Sequence, residues 1–340
     1  MVTLVDVAKK AGVSLATASY AMNGNKKIKE ETRQRVLKAA EEIGYVPNAI
    51  ARGLSAKRTK TIGLVASNIS MPFSSEVIQC LEKDIRERGY NLLLGISRDN
   101  LELEKKIIED FRERRVDGVI ISPGHDSITV NKETDISHIH LLKRSNIPFI
   151  FINAFYPNIK ASYVITDLEE GSYKLTSYLI QKGYRKIIFC VSKMQHYFSY
   201  IRFQGYNRAF NDIGINIEKN DPMIVECGDY SFHSAYETIK RWLENNDLPD
   251  VFTALNDTMA LGILKALNEK GIRVPNDVKL AGYDDITYPT VSDISLTTVR
   301  IPISEISAKT VEVLISNIEG GNRTMQKILL EPELILRDSV

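Results

Sequence analysis

Two hydrophobic rhythms divide the chain. Over the first sixty residues apolar side chains recur three and four apart: Leu4, Val7, Ala8 and Ala11; then Ala18, Ala21 and Met22; then Val36, Ala39, Ala40 and Ile43. That spacing places each set on one face of an α-helix and predicts three short helices. The polar residues between them act as punctuation. Thr3, with Asp6 three residues on, forms a capping box for the first helix. Gly12 ends that helix where a positive φ is cheapest, with Val13 tucked beneath the turn. Ser14 caps the second helix, Asn23-Gly24 breaks it, and the third runs over 30–43 to Gly44. Ala8 and Ala18 are small enough to let the first two helices cross closely.

From Thr61 onward the rhythm changes to short uninterrupted apolar runs, at 62–66, 91–96, 118–122, 147–152, 186–191, 250–255 and 278–282. Helical patterns fill the intervals, among them 75–89, 102–115, 168–182, 202–213, 232–245 and 258–271. Strands that are apolar throughout, alternating with helices, predict parallel sheets covered on both faces. About ten strands exceed one comfortable doubly wound sheet, so two lobes are expected. The predicted boundaries are 1–46 for the helical domain and 47–60 for a linker. The α/β body is 61–340, with lobe 1 at 61–160 and 294–323 and lobe 2 at 161–293 and 324–340.

Charge sharpens this division. The first sixty residues hold twelve Lys/Arg against five Asp/Glu, a net of +7, while the remaining 280 hold 32 against 38, a net of −6. A basic head on an acidic body suits a nucleic-acid-binding arm attached to something else; a solvated basic face is the alternative on charge alone. No apolar stretch approaches the ~18–20 residues of a membrane helix. The start, MVTLVDVAKK, has no signal-peptide pattern. Cys80, Cys190 and Cys227 lie far apart with no C-x-x-C pair, which argues against a disulfide framework or zinc site and fits a reducing cytoplasm.

Two short helices joined by a Gly-containing turn, with a third completing the core, make a helix-turn-helix module, although a three-helix bundle without DNA shares the pattern. The words decide it. TLVDVAKKAGVSLATASYAMNG, followed by ETRQRVLKAAEEIGYVPNAIARGLSAKRTKTIGLV, resembles the opening of the lactose-repressor (LacI/GalR) family nearly residue for residue, and the resemblance continues along the chain. It implies an all-α helix-turn-helix domain followed by a two-lobed α/β domain, periplasmic-binding-protein-like, with parallel sheets flanked by helices. It also implies that the second helix lies in the major groove. Leu15, Ala16 and Tyr20 would face the bases and Thr17 and Ser19 the phosphates, with Ser14 and the helix N-terminus adding N–H contacts. Thr3 and Asn23 complete the set on the helical domain. Family members usually carry Arg where this chain has Tyr20, and Ser where it has Lys29. The segment from Pro47 matches the family's hinge helix, with Asn48, Ala51, Arg52 and Leu54 at the DNA and Leu54 as the minor-groove wedge. Seven residues containing a glycine hold no helix alone, so this segment is expected to order only when two copies meet on DNA.

In the body the resemblance implies a small-molecule effector between the lobes, at the carboxyl ends of the strands. Phe73, Asn153, Asn256 and Asp284 sit at or beyond strand ends, and Arg202, in IRFQGY, matches the family's cleft arginine; Tyr230, His196 and Phe198 offer stacking faces. An arginine, a carboxylate, amides and aromatic plates suit a polyhydroxylated ligand. Packing is the ordinary role of single aromatics, and Asp257 doubles as an N-cap candidate for TMALGILKAL. Thr166-Asp167 stands where relatives usually have Asp-Asn. No phosphate-cradling glycine loop, H-E-x-x-H or G-x-S-x-G occurs. Nor do the five histidines form a metal spacing; His138-x-His140 reads as helix or loop surface. The expectation is therefore a non-enzyme without metal or cofactor: a cytoplasmic repressor, nucleoid-associated when bound, that holds a palindromic operator as a homodimer and senses a sugar-like effector. The absence of a heptad tail after the last strand favours a dimer. A nucleoside-type ligand or a partner protein is the alternative controller, and a transport-type solute-binding protein would have no use for residues 1–60.

Overall fold

The computed structural model describes residues 2–23, 27–46, 58–123, 135–156, 159–286, 295–320 and 324–340. Two compact units emerge, residues 1–60 and 61–340. In the first, α1 (Leu4–Ala11), α2 (Leu15–Met22) and α3 (Glu30–Glu42) enclose Val7, Ala8, Ala11, Ala18, Ala21, Val36, Ala39 and Ala40. The predicted punctuation is present. Gly12 adopts φ 63°, and Val13 N–H donates to the Ala8 carbonyl at 3.0 Å, closing the helix end. Gly44 repeats the device at φ 64°, with Tyr45 N–H on the Ala40 carbonyl. Lys29 precedes α3 without a side-chain cap. The hinge positions Asn48, Ala51, Arg52 and Leu54 lie outside the described residues.

The body opens with β1 (Thr61–Ala66), α4 (Pro72–Glu87), β2 (Asn91–Ile96), α5 (Leu101–Glu113), β3 (Gly118–Ile121), α6 (Ser137–Arg144), β4 (Phe149–Ile152) and β5 (Ser162–Thr166). It continues with α7 (Leu168–Gln181), β6 (Ile187–Val191), α8 (Tyr197–Asn211), β7 (Ile224–Glu226), α9 (Phe232–Trp242), β8 (Val251–Ala254), α10 (Asp257–Glu269) and β9 (Lys279–Ala281). Last come β10 (Thr298–Arg300), α11 (Ile303–Glu319), β11 (Lys327–Leu330) and β12 (Glu333–Ile335). One parallel sheet has the order β11-β5-β4-β3-β1-β2, another β7-β6-β8-β9, and β10 pairs antiparallel with β12. Crossover helices on both faces bury the central strands, as with Val119, Ile120 and Ile121 in β3, while the edge strands β2, β7 and β11 stay partly exposed.

Four details correct the sequence reading. The division at residue 160 assigned β5 and β11 to the second lobe. Both belong to the first sheet, where Leu330 pairs with Thr166. The segment 324–340, given whole to the second lobe, holds two strands, β11 and β12, separated around Pro332, whose ring denies the ladder a donor. Helix α8 starts at Tyr197, not 202; its leading residues are at least half-buried on every side, which erases the one-sided pattern. Finally, the adjacent strands β6 and β7 bring the buried thiols of Cys190 and Cys227 into side-chain contact, although all three cysteines are free.

Candidate nucleic-acid interface and ligand cleft

On the helical unit, α2 presents Leu15 and Tyr20 at 50% and 51% exposure, with Ala16 also exposed, while Ala18 and Ala21 face inward. Ser14 is the N-cap of α2. Its hydroxyl accepts from Thr17 N–H at 3.1 Å and lies 2.8 Å from the Thr17 hydroxyl, so these two expected phosphate contacts already hold each other. Thr3 is exposed. Its N–H and hydroxyl both donate to the Asp6 carboxylate, at 2.9 and 2.8 Å, and hold that acid below the usual carboxylate range. Ser19 is half-buried and Asn23 is exposed at the C-cap.

In the body, a cleft of about 700 Å³, its mouth included, opens at the carboxyl ends of the strands. Seven of the eight expected residues line it: Phe73, Asn153, Phe198, Arg202, Tyr230, Asn256 and Asp284. The eighth, His196, is the N-cap of α8, buried behind the lining; its Nδ1 lies 3.2 Å from the Ser192 hydroxyl and its ring stacks on Tyr230 at 6.0 Å. Asn256 is tied down: its side chain caps α10 by accepting from Met259 N–H at 2.7 Å, and its amide donates to the Tyr230 carbonyl. The cap is therefore Asn256, and Asp257 is the first helical residue. The Asp257 carboxylate accepts from the Thr298 hydroxyl and Ile286 N–H, at 2.7 and 2.9 Å.

Arg202 and Asp284 form the charged centre. The guanidinium lies 4.1 Å from the centre of the Tyr283 ring and contacts the Asp284 carboxylate at 3.3 Å. One long contact does not offset burial, which pushes Asp284 up to about 8 against the opposing pull of Arg202. Burial also drives Asp257 up to about 7 and the Tyr230 phenol up to about 12. Two polar atoms of the lining, Arg202 Nε and Thr166 Oγ1, are buried without a hydrogen-bond partner among the described residues. The backbone is strained at the same place: Asn153 has φ 63° and Asp284 φ 107°, conformations that cost about 1–3 kcal/mol each and persist only when the surroundings impose them.

Sequence reasoning missed Ser67, Met71, Ser74, Ser122, Pro123, Thr166, Leu168 and Ile301, which complete the lining. Several directly follow or end a strand (Ser67 after β1, Ser122 after β3, Thr166 in β5, Ile301 after β10). Strand ends were thus the available signal. His138 was misread as surface: it is buried, with Nε2 2.9 Å from Glu104 Oε1, an oxygen that also accepts from the Tyr156 hydroxyl. Among the described residues no three His, Cys, Asp or Glu side chains are grouped to hold a metal, and no helix is long and apolar enough to cross a membrane.

Residues 3–48 match the model of bacterial regulatory proteins, lacI family, and residues 176–340 that of a periplasmic binding protein-like domain. The HTH-type transcriptional repressor PurR of Vibrio atlanticus (strain LGP32) is 32% identical over 340 residues, covering 100% of this chain and 99% of that protein. Catabolite control protein A of Priestia megaterium is 32% identical over 314 residues, 92% of this chain and 91% of that one. A solved complex of the transcriptional regulator CelR with cellobiose superposes with a TM-score of 0.72 at 27% identity, covering 100% of both chains. Such matches along the whole length, joined to the helix-turn-helix head and the two-sheet body, place this chain in the lacI family of DNA-binding transcriptional repressors, which are not enzymes.

Proposed function

We propose that this protein represses transcription by binding a palindromic operator as a homodimer in the cytoplasm, and that a neutral, polyhydroxylated small molecule, a sugar or sugar derivative, controls it from the cleft. The observation that carries the ligand reading is the pair of unsatisfied groups, Arg202 Nε and Thr166 Oγ1, buried in one lining with Phe73, Phe198 and Tyr230. Buried polar atoms without partners cost about 1–3 kcal/mol each, a cost that a hydroxylated ligand relieves. Aromatic faces cover the apolar faces of a sugar ring. Among the described residues Arg202 and Asp284 are the only arginine and carboxylic acid of the lining, and with Asp284 pushed up to about 8 both offer hydrogen-bond donors to the oxygens of a hydroxylated ligand.

Operator contacts would come from Thr3, Ser14, Leu15, Ala16, Thr17, Ser19, Tyr20 and Asn23, with Asn48, Ala51, Arg52 and Leu54 from the hinge. The effector favours one lobe arrangement, which sets whether two hinge segments can pair on DNA. A 100-fold change in operator affinity requires about 2.7 kcal/mol of coupling. A thermal-shift screen with sugars, sugar phosphates and nucleosides tests the reading. A neutral sugar at ~100 times its dissociation constant adds about 2.7 kcal/mol, and Arg202→Ala removes the shift. A hit confined to nucleosides would reassign the ligand class. Silence across the panel would sink the small-molecule reading and leave a partner protein as the controller.

A further inference from the structure

The outward face of α2 carries no charge. Its eight residues, LATASYAM, include no acid and no base. The described cations of the same unit sit elsewhere: Lys9 and Lys10 end α1, Lys27 and Lys29 lie between α2 and α3, Arg33, Arg35 and Lys38 lie within α3, and Arg58 and Lys60 follow it. Charge and base-facing surface are therefore separated by element, and that separation limits what α2 can read. In the major groove guanine is recognised chiefly by Arg or Lys on O6 and N7, and cytosine by a carboxylate on N4. Thymine alone offers a methyl group, which rewards apolar contact. Leu15 and Tyr20, half exposed on this face beside Ala16, are apolar bodies held out to solvent. Such side chains gain by covering a methyl group and cannot make the two-pronged guanine contact.

Resting on the reading of α2 as the recognition helix, we infer that Leu15, Ala16 and Tyr20 specify thymine methyl groups, so that the half-site facing α2 is built of A·T pairs. Phosphate affinity then comes from cations outside α2 and carries no sequence information. Leu15 and Tyr20 thus act as specificity determinants, and the base code of this protein is one of shape and methyl contact.

The test uses the full-length chain. Binding sites are selected from random duplexes, and the selected site is then resynthesised with single thymines replaced by deoxyuridine, which removes only the C5 methyl. The expected site is a palindrome with A·T pairs facing α2. At one or more of these positions deoxyuridine weakens binding about four-fold, the equivalent of about 0.8 kcal/mol for one buried methyl. Leu15→Ala erases the difference between thymine and deoxyuridine at one position, and Tyr20→Arg raises the preference for guanine at another about ten-fold. Both side chains are exposed, so neither change endangers the fold. A palindrome that demands G·C opposite α2, or indifference to every methyl, would overturn the inference and leave the operator reading standing. Selection of no palindromic site at all would overturn both.

Discussion

Among the described residues, six of the eight buried apolar residues of the helical unit are alanine and the other two are valine, whereas the body buries Tyr156, Tyr206, Phe111, Phe151 and Phe252 completely. Small side chains let three short helices approach closely, but each offers little area: roughly 0.8 kcal/mol per buried methylene, against about 1.5–3 kcal/mol for a large side chain. The head supplements this with helix-end devices, Gly12, Gly44, Ser14 and the Thr3–Asp6 pair. The body relies instead on continuous sheets and on close passages between helix backbones. The margin of the head is thin and spread over many weak contributions. The body spreads its burial over one large core and adds a few points where backbone meets backbone, at Gly205 and Gly262.

The largest expected effect probes such a point. Gly205 in α8 faces α7 so tightly that a Cβ would lie 2.0 Å from the Glu169 carbonyl oxygen, and Gly262 in α10 repeats the arrangement against the Phe232 carbonyl at 2.2 Å. Backbone atoms on both sides leave nothing flexible to yield. Gly205→Ala is expected to cost about 3 kcal/mol or more in urea unfolding. A loss below about 1 kcal/mol would show that α7 and α8 move apart at little cost.

The next effect turns on charge. Asp284 and Asp257 are held up to about 8 and about 7 by burial, while an unfolded chain releases these protons near pH 4. Between those limits the folded body holds more protons than the unfolded one, so raising the pH through this window favours unfolding. Thermal melts between pH 5 and 8 are expected to show the melting temperature of the body falling steadily as the pH rises, a slope that Asp284→Asn reduces. Parallel pH profiles for the variant and the parent would mean that Arg202 keeps Asp284 ionised after all.

The same contrast explains what could be read from the sequence. Helix ends in the head are local chemistry: Gly12, Ser14 and Gly44 act within four residues of themselves, and each lies where the pattern put it. Buried parallel strands announce themselves as unbroken apolar runs. Which sheet a strand joins is decided at long range, however, and nothing within Ser162–Thr166 declares that its partner lies at Lys327–Leu330. The cleft was legible where a distinctive side chain followed a strand, as with Asn153 and Asp284, whereas Arg202 lies within α8 and was legible only through the family's cleft arginine. It was illegible where a serine or threonine did the same, because small hydroxyls occur in every loop. His138 shows the opposite failure: its partner Glu104 is 34 residues away, and only the fold reveals that the two are buried together.

The smallest local effect carries the sharpest contrast. Val36 in α3 and Val119 in β3 are both fully buried, and replacing either by alanine removes the same two carbons. Each substitution is expected to cost about 1.5 kcal/mol. A unit of sixty residues unfolds with far less entropy than one of 280, so equal losses move the two melting points unequally. Val36→Ala should lower the melting temperature of the head by about 6–12 °C, and Val119→Ala that of the body by at most about 3–6 °C. The sole tryptophan, Trp242, packs edge-on against Phe252 within the body, so its fluorescence follows that unit alone while far-ultraviolet circular dichroism follows both. In Val36→Ala an early helical loss should precede an unchanged Trp242 transition, with operator binding failing at the first step and ligand binding at the second. A single transition in which both signals move together would mean that the head draws its stability from the body.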